Sequence, residues 1–247
     1  MLSKKIIIIT GSSKGIGKEI ARNFLKHNTN FLILNSRNES EFIKNTKKNN
    51  NIKFFKGDIS KLKNINKIKA FLRKKKLKID GIVCNVGGGS NPKNGDENIK
   101  NYEVNFQKNF FSSINIIYGL KKLFKKNAKI VCISSVASKS IVDTPIAYSV
   151  AKAALNSFVV NFAKNFKINK ICITGILPGH VMHQNSVWMK KKKTNPKLVN
   201  LLIDRHIPSG EWIKPKDISE LTYFLLNHSS NSFNGTLIDL EGGVTTK

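Results

Sequence analysis

Tyr148 and Lys152 stand four residues apart in "AYSVAKAAL", and Ser135 lies thirteen residues before the tyrosine, in "IVCISSVAS". Four residues are close to one helical turn, so on a helix both side chains project from one face. That spacing has a chemical use. A phenol with a reference pKa of about 10 is a poor acid–base group at neutral pH. An ammonium one turn away favours the phenolate and makes the phenol a better proton donor. A serine hydroxyl beside it can hold a carbonyl oxygen. Taken singly, Tyr148 reads as a helix-start aromatic and Lys152 as a solvated helix lysine. The joint spacing points instead to proton transfer at a carbonyl oxygen, which leaves a hydride to reach the carbon.

A hydride needs a carrier, and the first strand-to-helix turn offers a place for one. "TGSSKGIG", Thr10 to Gly17, follows the apolar run Ile6 to Ile9. Gly11, Gly15 and Gly17 have the pattern G-x-x-x-G-x-G, and Ser13, Lys14 and Ile16 lie between them. A strand that stops at a tight glycine turn before a helix aims N–H groups at a phosphate. A glycine-rich turn without a ligand is the competing reading. The second strand ends "LILNSRNES", without the acid that would hydrogen-bond a ribose 2′-hydroxyl. Arg37 and Lys14 are there to oppose a 2′-phosphate, Arg37 through a bidentate fork. This predicts NADP(H) in preference to NAD(H), against the alternative that both are solvated residues of a lysine-rich chain. Asp58 and Ile59, after the third strand, are placed to contact the adenine, although Asp58 also suits a helix N-cap.

These residues need elements to position them. Apolar runs predict strands at 6–10, 31–35, 52–56, 81–85, 129–134, 170–177 and 236–240. Several are apolar throughout, as in strands covered on both faces. Helical patterns occupy 17–26, 60–75, 98–124, 147–166, 196–203 and 215–226. The alternation predicts an α/β fold: a single Rossmann-type, doubly wound parallel sheet of about seven strands with helices on both faces. No linker or repeat divides 1–247. The interval 180–210 has no clear strand and reads as a variable cover over the substrate.

Composition bounds the rest. Lysine and arginine total 43 against 15 acids, a formal charge of +28. The lysines are scattered and not interleaved with stacking aromatics, so compositional drift is favoured over nucleic-acid binding; the charge still attracts anionic ligands. Apolar runs fall short of the ~18–20 residues of a membrane span. Cys84, Cys132 and Cys172 are widely spaced in apolar stretches and read as reduced and buried. A cytoplasmic protein without a metal is predicted.

Together these motifs resemble the short-chain dehydrogenase/reductase family over nearly the whole chain. Thr10–Gly17 matches its T-G-x-x-x-G-x-G pattern, and Ser135, Tyr148 and Lys152 match its catalytic trio. The resemblance implies a fourth catalytic residue, Asn105 in "YEVNF", which positions a water in a proton relay. It also implies that Asn85, Gly87, Pro178, Gly179 and Val181 line the cofactor with Tyr148 and Lys152. Three departures stand out: Cys84 replaces the first asparagine of N-N-A-G, Thr174 stands where asparagine is common, and "PGHVMHQNS" lacks the threonine that helps hold the cofactor. Ser186 and Gln184 are candidates to replace it. The implied activity is NADP(H)-dependent reduction of a carbonyl to an alcohol, or the reverse. The default substrate is a 3-oxoacyl thioester on a carrier protein. The alternative is a sugar or nucleotide-sugar, which Lys190 to Lys193 would suit. A catalytically idle NADP-binding scaffold is the alternative of another class. The family's habit of pairing through its two long helices implies a homodimer or homotetramer.

Overall fold

The four isoleucines of the first strand are all buried, and they alternate between two cores. Ile6 and Ile8 pack with Ile33, Ile82, Cys132 and Ile173, whereas Ile7 and Ile9 pack with Leu34, Val83, Val131 and Ile176. Successive strand residues face opposite sides, so an unbroken apolar run marks a strand covered on both faces. The computed structural model describes residues 4–27, 30–89, 96–142, 144–165, 170–183 and 186–245. The strands are β1 (Lys5–Thr10), β2 (Asn30–Ser36), β3 (Ile52–Lys56), β4 (Ile79–Cys84), β5 (Phe124–Ile133), β6 (Cys172–Pro178) and β7 (Leu237–Leu240). They form one parallel sheet in the order β3-β2-β1-β4-β5-β6-β7. This is the doubly wound Rossmann-type α/β sheet predicted above.

The helices are α1 (Gly15–Leu25), α2 (Glu41–Thr46), α3 (Leu62–Lys74), α4 (Ile99–Phe106), α5 (Ser112–Leu120), α6 (Ile146–Asn165), α7 (Val187–Thr194), α8 (Pro196–His206) and α9 (Pro215–Asn227). Ile20 and Phe24 of α1, Ile43 of α2 and Ile218 and Leu225 of α9 cover one face of the sheet. Ile65 and Ile68 of α3, Ile116 and Leu120 of α5 and Leu155 and Val159 of α6 cover the other. The strand order reverses between β1 and β4, which opens a crevice at their carboxyl ends; ligands of such sheets bind there.

Several boundaries differ from the predictions. The expected helix 98–124 is broken by a π-helical turn, Gln107–Phe111, between α4 and α5. Strand β5 begins at Phe124 instead of Lys129, because Phe124 pairs with Ile79 before an irregularity in the register. Asn127 takes a positive φ of 63° within it. Helix α2, capped by the Ser40 hydroxyl on the Ile43 N–H (3.4 Å), is additional. Within 180–210 there are two helices, α7 and a longer α8, beside a Val181–Ile213 bridge. Helix α6 reaches membrane-spanning length with a mean hydropathy of 1.2 over Ile146–Lys164, yet its Ala151, Leu155 and Val159 are buried in the core. Gln184, the predicted helix end at Phe166, and the side chains of Trp188, Lys190 and Lys191 lie outside the described residues.

Candidate active site

Thr10, the last residue of β1, ties the crevice together. Its hydroxyl donates to Val83 O (3.1 Å) and accepts the Asn85 N–H (3.0 Å). The Asn85 amide donates in turn to Thr10 O (3.1 Å) and Gly11 O (3.2 Å). Asn85 therefore clamps the end of β4 to the glycine loop, and its NH2 group is spent in shaping the cradle. The loop can be this tight only with glycine at 17: a Cβ there would stand 2.3 Å from Gly11 O and 2.4 Å from Asn85 Nδ2. Helix α1 then starts at Gly15 behind Lys14, with no side-chain cap and no acid in its first turn. Helix-start N–H groups left without a side-chain acceptor, at the positive end of a helix dipole, suit a phosphate. The cradle thus fits the phosphates of a dinucleotide, with Ser13 and Ile16 half-buried along it.

Farther along the groove, Arg37 follows β2, is exposed, and takes part in no ion pair among the described residues. A third cation joins Lys14 and Arg37, and the sequence pattern does not single it out. Lys108 of the π-helical turn donates to Gly88 O (3.0 Å). Its pKa is lowered first by burial and then by Arg37 and Lys14, so the three charges share one neighbourhood. Asp58 is not the helix cap that was its alternative reading: α3 starts at Leu62 behind Lys61 without a side-chain cap, and the Asp58 carboxylate accepts the Ser60 N–H (2.9 Å) in the turn before it. The Ile59 side chain is buried in the core, which leaves its backbone as the part able to meet an adenine. Pro178 ends β6, the Gly179 N–H donates to Leu240 O (3.0 Å), and Val181 is bridged to Ile213.

The proton-transfer residues converge across the carboxyl ends of β4 and β5. Lys152 is 2% exposed and donates to Ile133 O (2.7 Å). Burial, and to a lesser extent Lys108, lowers its pKa from 10.5 to about 8, while Cys132 and Cys84 act the other way. Tyr148, one turn earlier on α6, has its pKa raised by burial, opposed by a hydrogen bond with Ser135. Ser135 is fixed by accepting the Ala137 N–H at 3.2 Å. The expectation that Lys152 favours the phenolate is not met in the free protein. Its amine is turned to Ile133 O, and desolvation dominates at the phenol.

The structure brings Asn109, and not Asn105, to this group. The Asn109 Oδ1 accepts the Gly88 N–H (2.8 Å). A Cβ on Gly87 would lie 2.9 Å from Asn109 Oδ1 and 3.0 Å from Lys152 Nζ, so glycine lets all three crowd together. Asn105 sits one turn back, donates to Asn101 O (2.9 Å), and accepts from Asn109 Nδ2 (3.2 Å). Among the described residues, its hydrogen bond toward this group is the one with Asn109. Asn109 lies within the π-helical turn, and such turns often mark functional positions.

The family model for short chain dehydrogenases matches residues 5–194. The chain belongs to this family. Among curated relatives of this dehydrogenase, 7alpha-hydroxysteroid dehydrogenase of Escherichia coli K12 is 26% identical over 247 residues, covering 98% of this chain and 94% of that protein. NAD-dependent glycerol dehydrogenase of Listeria innocua is 24% identical over 251 residues, covering 100% and 96%. L-sorbose reductase of Gluconobacter frateurii, solved with NADPH and L-sorbose, superposes with a TM-score of 0.89 at 21% identity, covering 100% of this chain and 98% of that one. The dehydrogenase is accordingly an NAD(P)-dependent oxidoreductase acting between alcohols and carbonyls.

Proposed function

We propose that the chain reduces a carbonyl to a secondary alcohol, or runs the reverse reaction, with NADP(H) as its preferred dinucleotide. The observation that carries this is the convergence of Tyr148, Ser135, Asn109 and the buried Lys152 amine beside the glycine cradle. When bound, the dinucleotide supplies or accepts the hydride. Ser135 holds the carbonyl oxygen, and Tyr148 gives that oxygen its proton. The raised pKa of Tyr148 keeps the proton in place at neutral pH, which suits reduction. Lys152, with a pKa of about 8, can both hold and release a proton near neutrality. Asn109 lies beside it, so we assign the fourth role to Asn109, and Asn105 holds the Asn109 amide. The positive cluster of Lys14, Arg37 and Lys108 supports NADP(H), because a 2′-phosphate entering it meets three cations.

The first substrate class to test is a 3-oxoacyl thioester on an acidic carrier protein, which a chain of charge +28 would attract. The second is a sugar, nucleotide-sugar or polyol, favoured by the substrates in the names of the glycerol dehydrogenase and the L-sorbose reductase. The complete proton-transfer set argues against an idle scaffold. Exposed Val104 of α4, Phe111 of the π-helical turn, Tyr118 of α5 and Val150 and Val160 of α6 support pairing of two copies into a homodimer or homotetramer. The buried free cysteines suit a reducing cytoplasm. Oxidation of NADPH and of NADH, followed against a panel of 3-oxoacyl thioesters, ketoses and nucleotide-sugar ketones, tests the reading. Turnover of one class with NADPH supports it, and no turnover with any carbonyl or alcohol overturns it.

A further inference from the structure

The glycine loop meets a side chain of the segment after Pro178–Gly179, where the threonine that the family resemblance implies is absent. The chain after β6 is pinned by the Val181–Ile213 bridge and by the Met182 N–H on Ile213 O (3.0 Å). The Ser186 hydroxyl accepts the His183 N–H (3.2 Å) and the Met189 N–H (3.0 Å), which fixes His183 at the start of α7. Ser186 is thereby occupied as a local cap. The His183 ring lies against the glycine loop: a Cβ on Gly15 would stand 3.2 Å from its Nε2 and 3.3 Å from its Cε1. Gly15 opens α1, where the helix start has no side-chain cap. The imidazole therefore borders the N–H groups that suit a dinucleotide phosphate.

Lys14, across the loop, is a charged group that acts on the ring; Met182 and Ser186 on its own segment carry no charge. Burial first and Lys14 second lower the pKa of His183, so the free protein holds the ring neutral at neutral pH. A phosphate beside the ring supplies a counter-charge that opposes both effects. We propose that His183 is a ligand of the dinucleotide diphosphate and binds it as an imidazolium, so that dinucleotide binding takes up a proton and tightens as pH falls. This rests on the dinucleotide reading of the loop. A ring that contacts phosphate only after protonation makes the site a proton-linked one, which a threonine or glutamine there would not.

The test is the dissociation constant of NADP+ and of NAD+ from pH 6 to pH 8, by calorimetry, for the wild type and His183→Gln. Linkage at one group changes affinity by at most about tenfold per pH unit between the free and bound pKa values. The wild type should gain about fivefold or more over this range relative to the variant, with both dinucleotides. Comparison with the variant cancels titration of the 2′-phosphate and of Lys152, and NAD+ carries no 2′-phosphate at all. NMR of the His183 ring gives a second readout in the unaltered protein: its pKa should rise on addition of NADP+. Identical pH dependence in both proteins, or a ring pKa unmoved by NADP+, overturns the inference alone. A wild type that binds neither dinucleotide at any pH overturns the dinucleotide reading with it.

Discussion

Lys152→Met should make the ligand-free protein more stable at neutral pH while abolishing turnover. The ammonium is 2% exposed, and its pKa falls from 10.5 to about 8. At ~1.4 kcal/mol per pH unit, that fall represents a cost of about 3 kcal/mol for keeping the charge buried. Methionine fills a similar volume without a charge. It also leaves Ile133 O without the 2.7 Å hydrogen bond, a loss of about 1–2 kcal/mol. The net gain at pH 7 is therefore about 1–2 kcal/mol. Its sign depends on pH. The folded chain releases the lysine proton near 8 and the unfolded chain near 10.5, so the unfolded chain holds more protons throughout that window. Wild-type stability from this group then climbs with pH, and the advantage of methionine shrinks by up to ~1.4 kcal/mol per unit. By pH 10 the variant should be no more stable than wild type. Urea unfolding at pH 7, 8, 9 and 10 at constant ionic strength measures both curves. A variant that is less stable at pH 7, by an amount that does not change with pH, would refute the claim that a desolvated charge sits at this site.

Further substitutions separate the remaining roles. Asn109→Ala should lower kcat by roughly 10²-fold, as misplacement of a catalytic group does, whereas Asn105→Ala should act mainly through stability; steady-state kinetics of the two variants against one substrate checks this. Gly17→Ala forces a Cβ to 2.3 Å from Gly11 O and should cost about 1–3 kcal/mol in urea unfolding, together with a large loss of dinucleotide affinity. Arg37→Ala should weaken NADPH binding at least about tenfold more than NADH binding, since a charge-assisted pair contributes about 1.5–3 kcal/mol; equal losses in fluorescence titrations would remove Arg37 from the phosphate role.

The parts legible in the sequence are those with a strong local period or a fixed local spacing. Ile6–Ile9, Ile82–Cys84 and Ile130–Ile133 are buried on both faces, so their apolar runs are unambiguous, whereas Asp80 hides the start of β4 at Ile79. Tyr148 and Lys152 keep their one-turn relation because α6 runs unbroken from Ile146 to Asn165. Helix α2 is too short, at 6 residues, to show a helical period. Strand β5 begins in "FKKNAK", where lysines and a left-handed Asn127 hide the pairing with Ile79. Asn105 and Asn109 lie four apart, and spacing alone cannot choose between them. Asn109 lies in the π-helical turn, which the continuous helical pattern of 98–124 does not show. Lys108 and His183 belong to no local pattern. Their positions come from Gly88 and Gly15, which are distant in sequence and are met only once the crevice closes.

In the proposed reaction Tyr148 passes its proton to a carbonyl oxygen beside Lys152 and a bound nicotinamide. Single-turnover oxidation of NADPH with the best carbonyl substrate, for wild type and Tyr148→Phe, tests it most directly. Phenylalanine keeps the ring and removes only the hydroxyl. The hydride-transfer rate should fall at least ~10²-fold, with NADPH affinity changed by less than about threefold. Equal rates in the two proteins would contradict it.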